Sequence, residues 1–446
     1  MTKDIRIDRR KLVAGAAAVA AATSIGVRSG AAQDSATVRY MLWDTNQLPA
    51  YQACADKFTE ANPQITIEIE QLGWDDYWTA VQTGMISGTA PDVFTNHLAK
   101  FPEFAERNQL VDIQPMVEEA ALDLSIYQGE LTEVWQRDGK RYGLPKDWDT
   151  ISLVYNKAML DAAGIDPAEM SELTWNPEDG GTFAEFVARL TLDANGNDAL
   201  SDDFDSGNIQ QYGLGMPLGD AYGQSSWSIF TNSTGWNFID APWTPPFYFD
   251  DERFISSVQQ LADMQNVTRS AIREEETVGT NIEQLFSAGT CALIFQGSWM
   301  ITWLDDNVTF DWGFARLPIG PEGRKCMING LADSIWSGSE VQDAAWEWVK
   351  YLASTEAQEI VGDLGVVFPA VFSGAEKAQA AYEARGLDVS PYLDQAAEEG
   401  GTFLFPIVDK ASEYTAIVTP AMQEIGMGAP AADVVPGMNE EVNDLY

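Results

Sequence analysis

The sequence predicts an α/β protein built from two domains. Three observations carry this. The chain opens with strand, helix and strand patterns in direct succession. A second strand-to-helix junction recurs near Gly297. The length remaining after the leader suits two domains rather than one.

Residues 1–32 read as an export signal. Arg9-Arg10 precede the apolar run Leu12 to Val27, and the small residues Gly30 and Ala32 flank a cut before Gln33. The twin arginine points to the route that carries folded proteins. The run is shorter than the ~18 residues of a membrane span, and no cysteine stands near the cut to support a lipoprotein anchor. The whole chain has 26 basic and 68 acidic residues; the leader holds six of the first and two of the second, leaving 20 against 66 and a net charge of −46. That charge repels nucleic acid and anionic membrane. It disfavours phosphate, sulfate or dicarboxylate ligands without a basic pocket, and Arg324-Lys325 reads as a loop tip. The acid excess is read as a solvated surface, with a cationic ligand or a salty habitat as the functional alternatives.

The elements follow in order. Val38, Tyr40 and Leu42 alternate as one strand and Ile65, Ile67 and Ile69 as another. Between them Tyr51, Cys54 (or Ala55) and Phe58 recur at helical spacing until Asn62-Pro63 ends the helix. Such a unit implies parallel, right-handed pairing. Further on, TWNPEDGGTF is a turn-rich entry to a helix at Phe183 to Leu192. Asp193 to Asp198 resembles part of a calcium loop, but its glycine is at the fourth position and Phe204 stands where the closing Glu belongs, so a polar loop is expected. Gly235 to Tyr248, with Pro242, Pro245 and Pro246, reads as an irregular or edge hairpin.

The richest stretch is Leu285 to Trp303. A helix end at Leu285-Phe286 meets a turn at Ser287-Ala288-Gly289, then a strand from Cys291 to Phe295. Gly297-Ser298 open the next helix, whose first turn carries Trp299; glycine permits tight geometry there. An indole at a strand's carboxyl end sits where open α/β sheets bind ligands. A last clear helix begins at Ser339 with Gln342, a capping-box pattern, and buries Val341, Ala345, Trp348, Val349 and Leu352.

Of the three cysteines, Cys54 reads as a packed thiol, and Cys291 and Cys326 pair only if strand and loop are adjacent. One histidine and unclustered cysteines argue against a zinc site, and no metal or other cofactor is expected. No nucleophile elbow, P-loop, zinc motif or dinucleotide fingerprint occurs, so an enzyme is not expected.

The Leu285 to Trp303 segment resembles one in the extracellular solute-binding proteins of ABC importers, in the maltose-binding-protein-like, sugar-binding branch. Val38 to Pro63, Ala90 to Phe94 with Asn96-His97, Tyr142 to Lys157, and the helix from Ser339 carry the same likeness in the same order. The resemblance implies a two-lobed periplasmic-binding-protein fold of type II, with a hinge of crossing strands and a ligand cleft between the lobes. It places lobe 1 at residues 36–148 plus about 300–360, and lobe 2 at about 149–299 plus 361–446, with crossings near Pro145 to Ser152 and Asn329 to Ile335. By position in the matching segments it implies ligand contacts from Asp44, Asn46, Gln47, Asn96, His97, Trp148, Asp149, Tyr222 and Trp227, with Trp299 and Tyr414 as platforms. Trp43, Trp74, Trp236 and Trp336 remain open between platform and core packing. Asn96-His97 stand where maltodextrin binders carry aromatic residues. The implied partners are a carbohydrate and the membrane permease subunits, for an extracytoplasmic monomer that binds no nucleic acid. A polyamine or glycerol-phosphate ligand on the same scaffold, or a secreted glycosidase, are the competing readings.

Overall fold

The computed structural model describes residues 35–446; the expected export signal lies outside the described residues. The chain enters on β1 (Ala36–Leu42), β2 (Ile65–Gln71) and β3 (Val93–Asn96), then makes a small hairpin of β4 (Gln136–Arg137) and β5 (Lys140–Arg141). Next come β6 (Leu144–Asp149), β7 (Ile151–Asn156), β8 (Leu192–Asp193), β9 (Ile209–Gly215), β10 (Cys291–Gly297) and β11 (Trp312–Ala315). β12 (Cys326–Ile335), β13 (Phe368–Pro369) and β14 (Thr402–Leu404) follow.

These strands form two mixed sheets. The larger runs β13-β6-β12-β3-β1-β2 with β14 beside β12, and the smaller runs β11-β7-β10-β9-β8. The opening βαβ unit pairs in parallel, Val38 opposite Ile67 and Tyr40 opposite Ile69. The helix Leu48–Ala61 joins its strands and buries Tyr51, Cys54, Ala55 and Phe58. Trp348, from the helix Gln342–Leu352, completes that layer against Tyr40 and Phe58, with ring centroids 5.6 and 5.2 Å away.

β6 and β7 are separated only by Thr150 yet lie in different sheets, so the chain passes between sheets at that residue. It returns between β11 and β12. The strands divide differently from the lobe boundaries expected above. β11 pairs with β7 in the smaller sheet, whereas β13 pairs with β6 in the larger one. Strands this short carry too little pattern to reveal their partners in sequence.

One local expectation is corrected, and two open readings take definite form. The Ser339–Gln342 capping box does not form: Ser339 Oγ donates to Asp92 Oδ1 at 2.6 Å, and Gln342 Nε2 donates to the Ser337 carbonyl at 2.8 Å. Val341 stands at the cap instead. Cys291 and Cys326 are separate buried thiols, and Cys326 Sγ accepts the Ile151 N–H at 3.0 Å. In the Asp193 loop the carboxylate is occupied by the loop's own donors, among them the N–H groups of Asn195 and Asn197 at 2.8 and 2.9 Å. Among the described residues no acidic or His/Cys cluster fits a metal ion, and no helix is long and apolar enough to cross a membrane.

Candidate functional site

A cavity of about 840 Å³ opens between the two sheets. The larger sheet supplies residues just past its strands. Trp43 and Asp44 follow β1, Trp74 and Asp75 begin the helix after β2, and His97 and Lys100 follow β3. β6 contributes Asp147, Trp148 and Asp149, and β12 contributes Asn329 and Leu331. The opposite wall comes from the loop after β9 (Asp220, Tyr222, Gln224), from Ser298 and Trp299 after β10, and from Phe405, Thr415 and Thr419. Open α/β sheets bind ligands at such carboxyl-end crevices.

Trp299 is half-buried and lines the cavity. Gly297 matters to it in a way the sequence did not disclose. Its backbone is ordinary, with φ −78° and ψ 157°, so no left-handed geometry is at stake. The indole lies directly on the glycine: a Cβ there would fall 1.9 Å from Trp299 Cζ3. The glycine is a seat for the ring. The next residue is tied to the crossing strand, since Ser298 N–H donates to the Thr150 carbonyl at 3.0 Å.

A second aromatic group lines the same cavity. Tyr222 lies on Phe405, centroids 4.3 Å apart, and stacks at 4.9 Å on Tyr414. Phe405 in turn meets His97 edge-on at 5.3 Å. Trp43 packs edge-on against Trp74 at 5.0 Å, and Trp74 is 44 % exposed.

The polar floor is a connected chain. His97 Nδ1 accepts the Ala99 N–H at 3.0 Å, so the proton of the neutral ring sits on Nε2. Burial, aided by the Lys100 charge, pushes the imidazolium pKa down to about 3 and keeps the ring neutral. Nε2 lies 3.0 Å from the Asn329 carboxamide, which must therefore turn its oxygen toward the ring. The same end of that carboxamide is 3.3 Å from Asp149 Oδ2. An oxygen in that place calls for the acid form of Asp149, with its O–H donating. Burial holds the Asp149 carboxyl well above the usual range, and the neighbouring Asp147 adds to it. Gln224 Nε2, from the opposite wall, donates to Asp149 Oδ1 at 2.8 Å.

Asp147 projects from the same face of β6 two residues earlier. Its Oδ1 accepts the Leu331 N–H at 3.3 Å, while its buried Oδ2 has no hydrogen-bond partner. Burial pushes this carboxyl up to about 7; Asp333 and Asp44 reinforce the shift and Lys146 opposes it. Beneath the floor, Lys146 Nζ donates to Tyr40 Oη at 3.0 Å and to Thr95 Oγ1 at 2.9 Å. It also pairs with Asp333 at 3.4 Å, both side chains 2 % exposed.

Seven of the eleven sequence-named residues line this cavity: Asp44, Gln47, His97, Trp148, Asp149, Tyr222 and Trp299. Four do not. Asn46 donates its backbone N–H to Asp44 Oδ1 at 2.8 Å and sits behind it. Asn96 is fully buried, its Nδ2 donating to Ser334 Oγ at 3.0 Å and its Oδ1 accepting the His97 N–H at 2.9 Å. Trp227 is 0 % exposed among Trp236, Phe238 and Phe254, with Nε1 donating to the Asp220 carbonyl. Tyr414 is also 0 % exposed, lying beneath Tyr222, and its hydroxyl donates to the Ala221 carbonyl. Of the tryptophans left open, Trp43 and Trp74 line the cavity, Trp236 is core, and Trp336 lies elsewhere. Asp147, Asp220, Gln224 and Asn329 were not anticipated. Asp147 was findable, two residues from Asp149 on one strand. Asn329 stands opposite Asp149 in the β12–β6 register, which only the folded sheet reveals.

Two sheets joined by passing strands, with a cavity walled from both, define a two-lobed small-molecule receptor. The comparison with protein families agrees. The chain belongs to the bacterial extracellular solute-binding proteins, the family matching residues 43–359, and is a solute-binding component of ABC transporters. It is similar to a lactose-binding protein of Rhizobium radiobacter, 27 % identical over 169 residues that cover 35 % of this chain and 37 % of that one. Its fold is similar to an ABC substrate-binding protein of Listeria monocytogenes in complex with cycloalternan, with TM-score 0.77, 18 % identity and 92 % and 99 % of the two chains covered. It is also similar to UgpB of Mycobacterium tuberculosis in complex with glycerophosphocholine, with TM-score 0.74, 15 % identity and 92 % and 98 % covered.

Proposed function

We propose that this protein captures a sugar or oligosaccharide between its two sheets, closes on it by hinge motion at the strand crossings, and delivers it to an ABC permease without chemical turnover. The observation that carries the reading is the pairing of aromatic faces with carboxyl and amide groups around one cavity. A sugar presents C–H faces, which suit Trp299 and Tyr222, and hydroxyls, which suit groups that accept or share bonds with two neighbours. The cavity falls within the ~300–1,000 Å³ usual for small-molecule sites. Its two walls supply contacts from different sheets, so a ligand touching both stabilises the shut form.

The glycerol-phosphate alternative has less support. Lys100 is the single cation in the lining, and burial lowers its pKa. A phosphate ester needs more positive charge than that. The partition into lobes proposed here follows the sheets, with export by the twin-arginine leader and action as a monomer. The test is titration calorimetry against a panel of neutral mono- and oligosaccharides, glycerophosphocholine and spermidine. Saccharide heat that weakens in Trp299→Ala is expected. Heat with the phosphodiester or the polyamine alone would overturn the ligand class, and release of free sugar from an oligosaccharide would overturn the absence of turnover.

A further inference from the structure

The two walls of the cavity meet at one edge. On the first wall, His97 and Lys100 line the cavity, and Glu103 stands one turn further along, in the helix Phe101–Glu106. On the second, Thr415 and Thr419 line it from the helix Ala411–Gly426, and Ser412 continues their face one turn earlier. Ser412 Oγ donates to Glu103 Oε2 at 2.9 Å. Glu103 is 4 % exposed, so water does not compete freely for this bond.

A stronger contact joins the same two walls. Arg137 stands on the β4–β5 hairpin, which leads into β6 of the larger sheet. It grips Asp409 with two parallel bonds, Nη1 to Oδ1 at 2.6 Å and Nη2 to Oδ2 at 2.8 Å. Its Cζ lies 4.5 Å from the centre of the Trp243 ring, and Phe101 packs edge-on against that indole at 5.6 Å. Trp243 holds φ +67°, a left-handed backbone that bulky side chains rarely adopt, so the ring is kept over Arg137 at a backbone cost. Asp409 and Trp243 belong to the second wall. The Trp243 N–H donates to the Ile407 carbonyl at 2.8 Å, and the Asp409 carbonyl accepts the Tyr446 hydroxyl. The helix Ala411–Gly426 that follows packs on the helix Glu252–Asn266. Gln265 of that second helix donates to the Met216 carbonyl, just past β9 of the smaller sheet, at 2.9 Å. A bidentate fork under an indole is both specific and strong. With side chains 26 % and 20 % exposed, the pair is only partly screened by solvent.

We propose that Arg137, held by Asp409 and covered by Trp243, is a latch for the closed cleft, a positioning residue that touches no ligand yet slows its release. This rests on the hinge closure proposed above. Arg137 is absent from the cavity lining, and none of the latch residues lies on a strand that passes between the sheets. A rotation that draws Lys100 away from Thr415 also draws Glu103 from Ser412 and Arg137 from Asp409, because each pair has one member on each wall. The latch is therefore made in the shut arrangement and lost in the open one. That difference is what lets a contact shift the balance between them. Its contribution adds to whatever a ligand supplies by bridging the walls.

The experiment uses the full mature chain with Arg137→Met, Arg137→Lys, Asp409→Asn and the Arg137→Met/Asp409→Asn double variant. Stopped-flow tryptophan fluorescence reads association and release of the best saccharide of the panel. Small-angle scattering without saccharide reads the radius of gyration, and urea melts report stability separately. Arg137→Met is expected to speed release about tenfold with association nearly unchanged. Arg137→Lys, which keeps the charge but loses the fork, should fall between it and wild type. The double variant should release no faster than Arg137→Met alone, since either change breaks the same pair. Added salt should speed release from wild type more than from Arg137→Met. A release rate in Arg137→Met equal to that of wild type would overturn the latch, whatever the melts show, because a merely structural arginine alters stability and not release. If no saccharide of the panel binds, the sugar reading falls and scattering decides the latch alone. A larger radius in Arg137→Met than in wild type would then support it, and an equal radius would overturn it.

Discussion

Gly297→Ala is the sharpest perturbation of the cleft. The added Cβ would lie 1.9 Å from Trp299 Cζ3 and 2.2 Å from Cε3 and Cη2. Carbon contacts settle at about 3.5–4.0 Å, so ring and strand must part by roughly 1.5–2 Å. The strand is locked between β7 and β9, whereas the indole is half-buried and borders open space, so the ring is what moves. Overpacking of this kind costs about 1–3 kcal/mol. A displaced platform forfeits roughly 0.5–1.5 kcal/mol of ring contact, a two- to tenfold rise in Kd. The assay is a double-mutant cycle on urea stability and on affinity for the best saccharide of the panel. Trp299→Ala should lose affinity similarly, and adding Gly297→Ala to it should then cost almost nothing in either readout. Additive losses would refute the reasoning, because they would mean the glycine acts on something other than the indole.

The remaining predictions concern the buried charges. His97 is the chain's one histidine, so its ring resonances are unambiguous in NMR. With its pKa pushed down to about 3 by burial, it should show no titration between pH 5 and 8. The unfolded chain binds this proton first, so His97 lends stability above about pH 6.5 that is lost as pH falls toward 3. Asp147 acts with the opposite sign. Its folded pKa of about 7 lies above the unfolded one, so its contribution is present below about pH 4 and is lost as pH rises through 7. Lys146, Asp333, Asp44 and Asp149 are the charged or titratable groups facing it. Asp147→Asn should therefore gain relative to wild type between pH 5 and 8, by about 2–3 kcal/mol, in urea melts at the two values; a constant difference would refute the shift. Lys146→Met strands Asp333 in the core and should cost about 3–5 kcal/mol. Pairing it with Asp333→Leu should recover much of that loss in the same melts.

How much was legible in the sequence follows from what each signal depends on. The opening βαβ unit and the Gly297–Trp299 junction were readable because alternation and glycine placement are local. Asp44, Gln47, His97 and Asp149 were reachable because each stands at a strand end, where the fold puts its cleft. Tyr414 and Trp227 misled because an aromatic residue beside the cleft and one lining it look identical until packing decides which ring lies beneath which. Tyr222 covers Tyr414, and nothing near either residue announces it. Asn329 needed strand register, and the Ser339 cap was lost because Asp92, 247 positions away, claimed the hydroxyl. The division of strands between sheets rests on two- and four-residue segments, β13 and β11, which pair by tertiary position alone.

The floor of the cleft also bears on how a ligand would shut it. A continuous polar chain runs from the Ala99 N–H through His97, Asn329 and Asp149 to Gln224. Its first members sit on adjoining strands of the larger sheet, where Asn329 faces Asp149 and Ala332 faces Asn96 in register. The last, Gln224, hangs from a loop after β9 of the smaller sheet. The Asp149–Gln224 bond is thus a contact across the cleft. A bound molecule that inserts there must replace one bond of about 0.5–1.5 kcal/mol net by its own contacts to both sides. Tight binding alone does not favour closure; contacts made to both walls at once do. Asp149 on one wall and Gln224 on the other form such a pair, so Gln224→Ala should weaken the closed, liganded form more than a lost hydrogen bond to a single wall would, raising Kd through a faster off-rate while leaving the on-rate nearly unchanged.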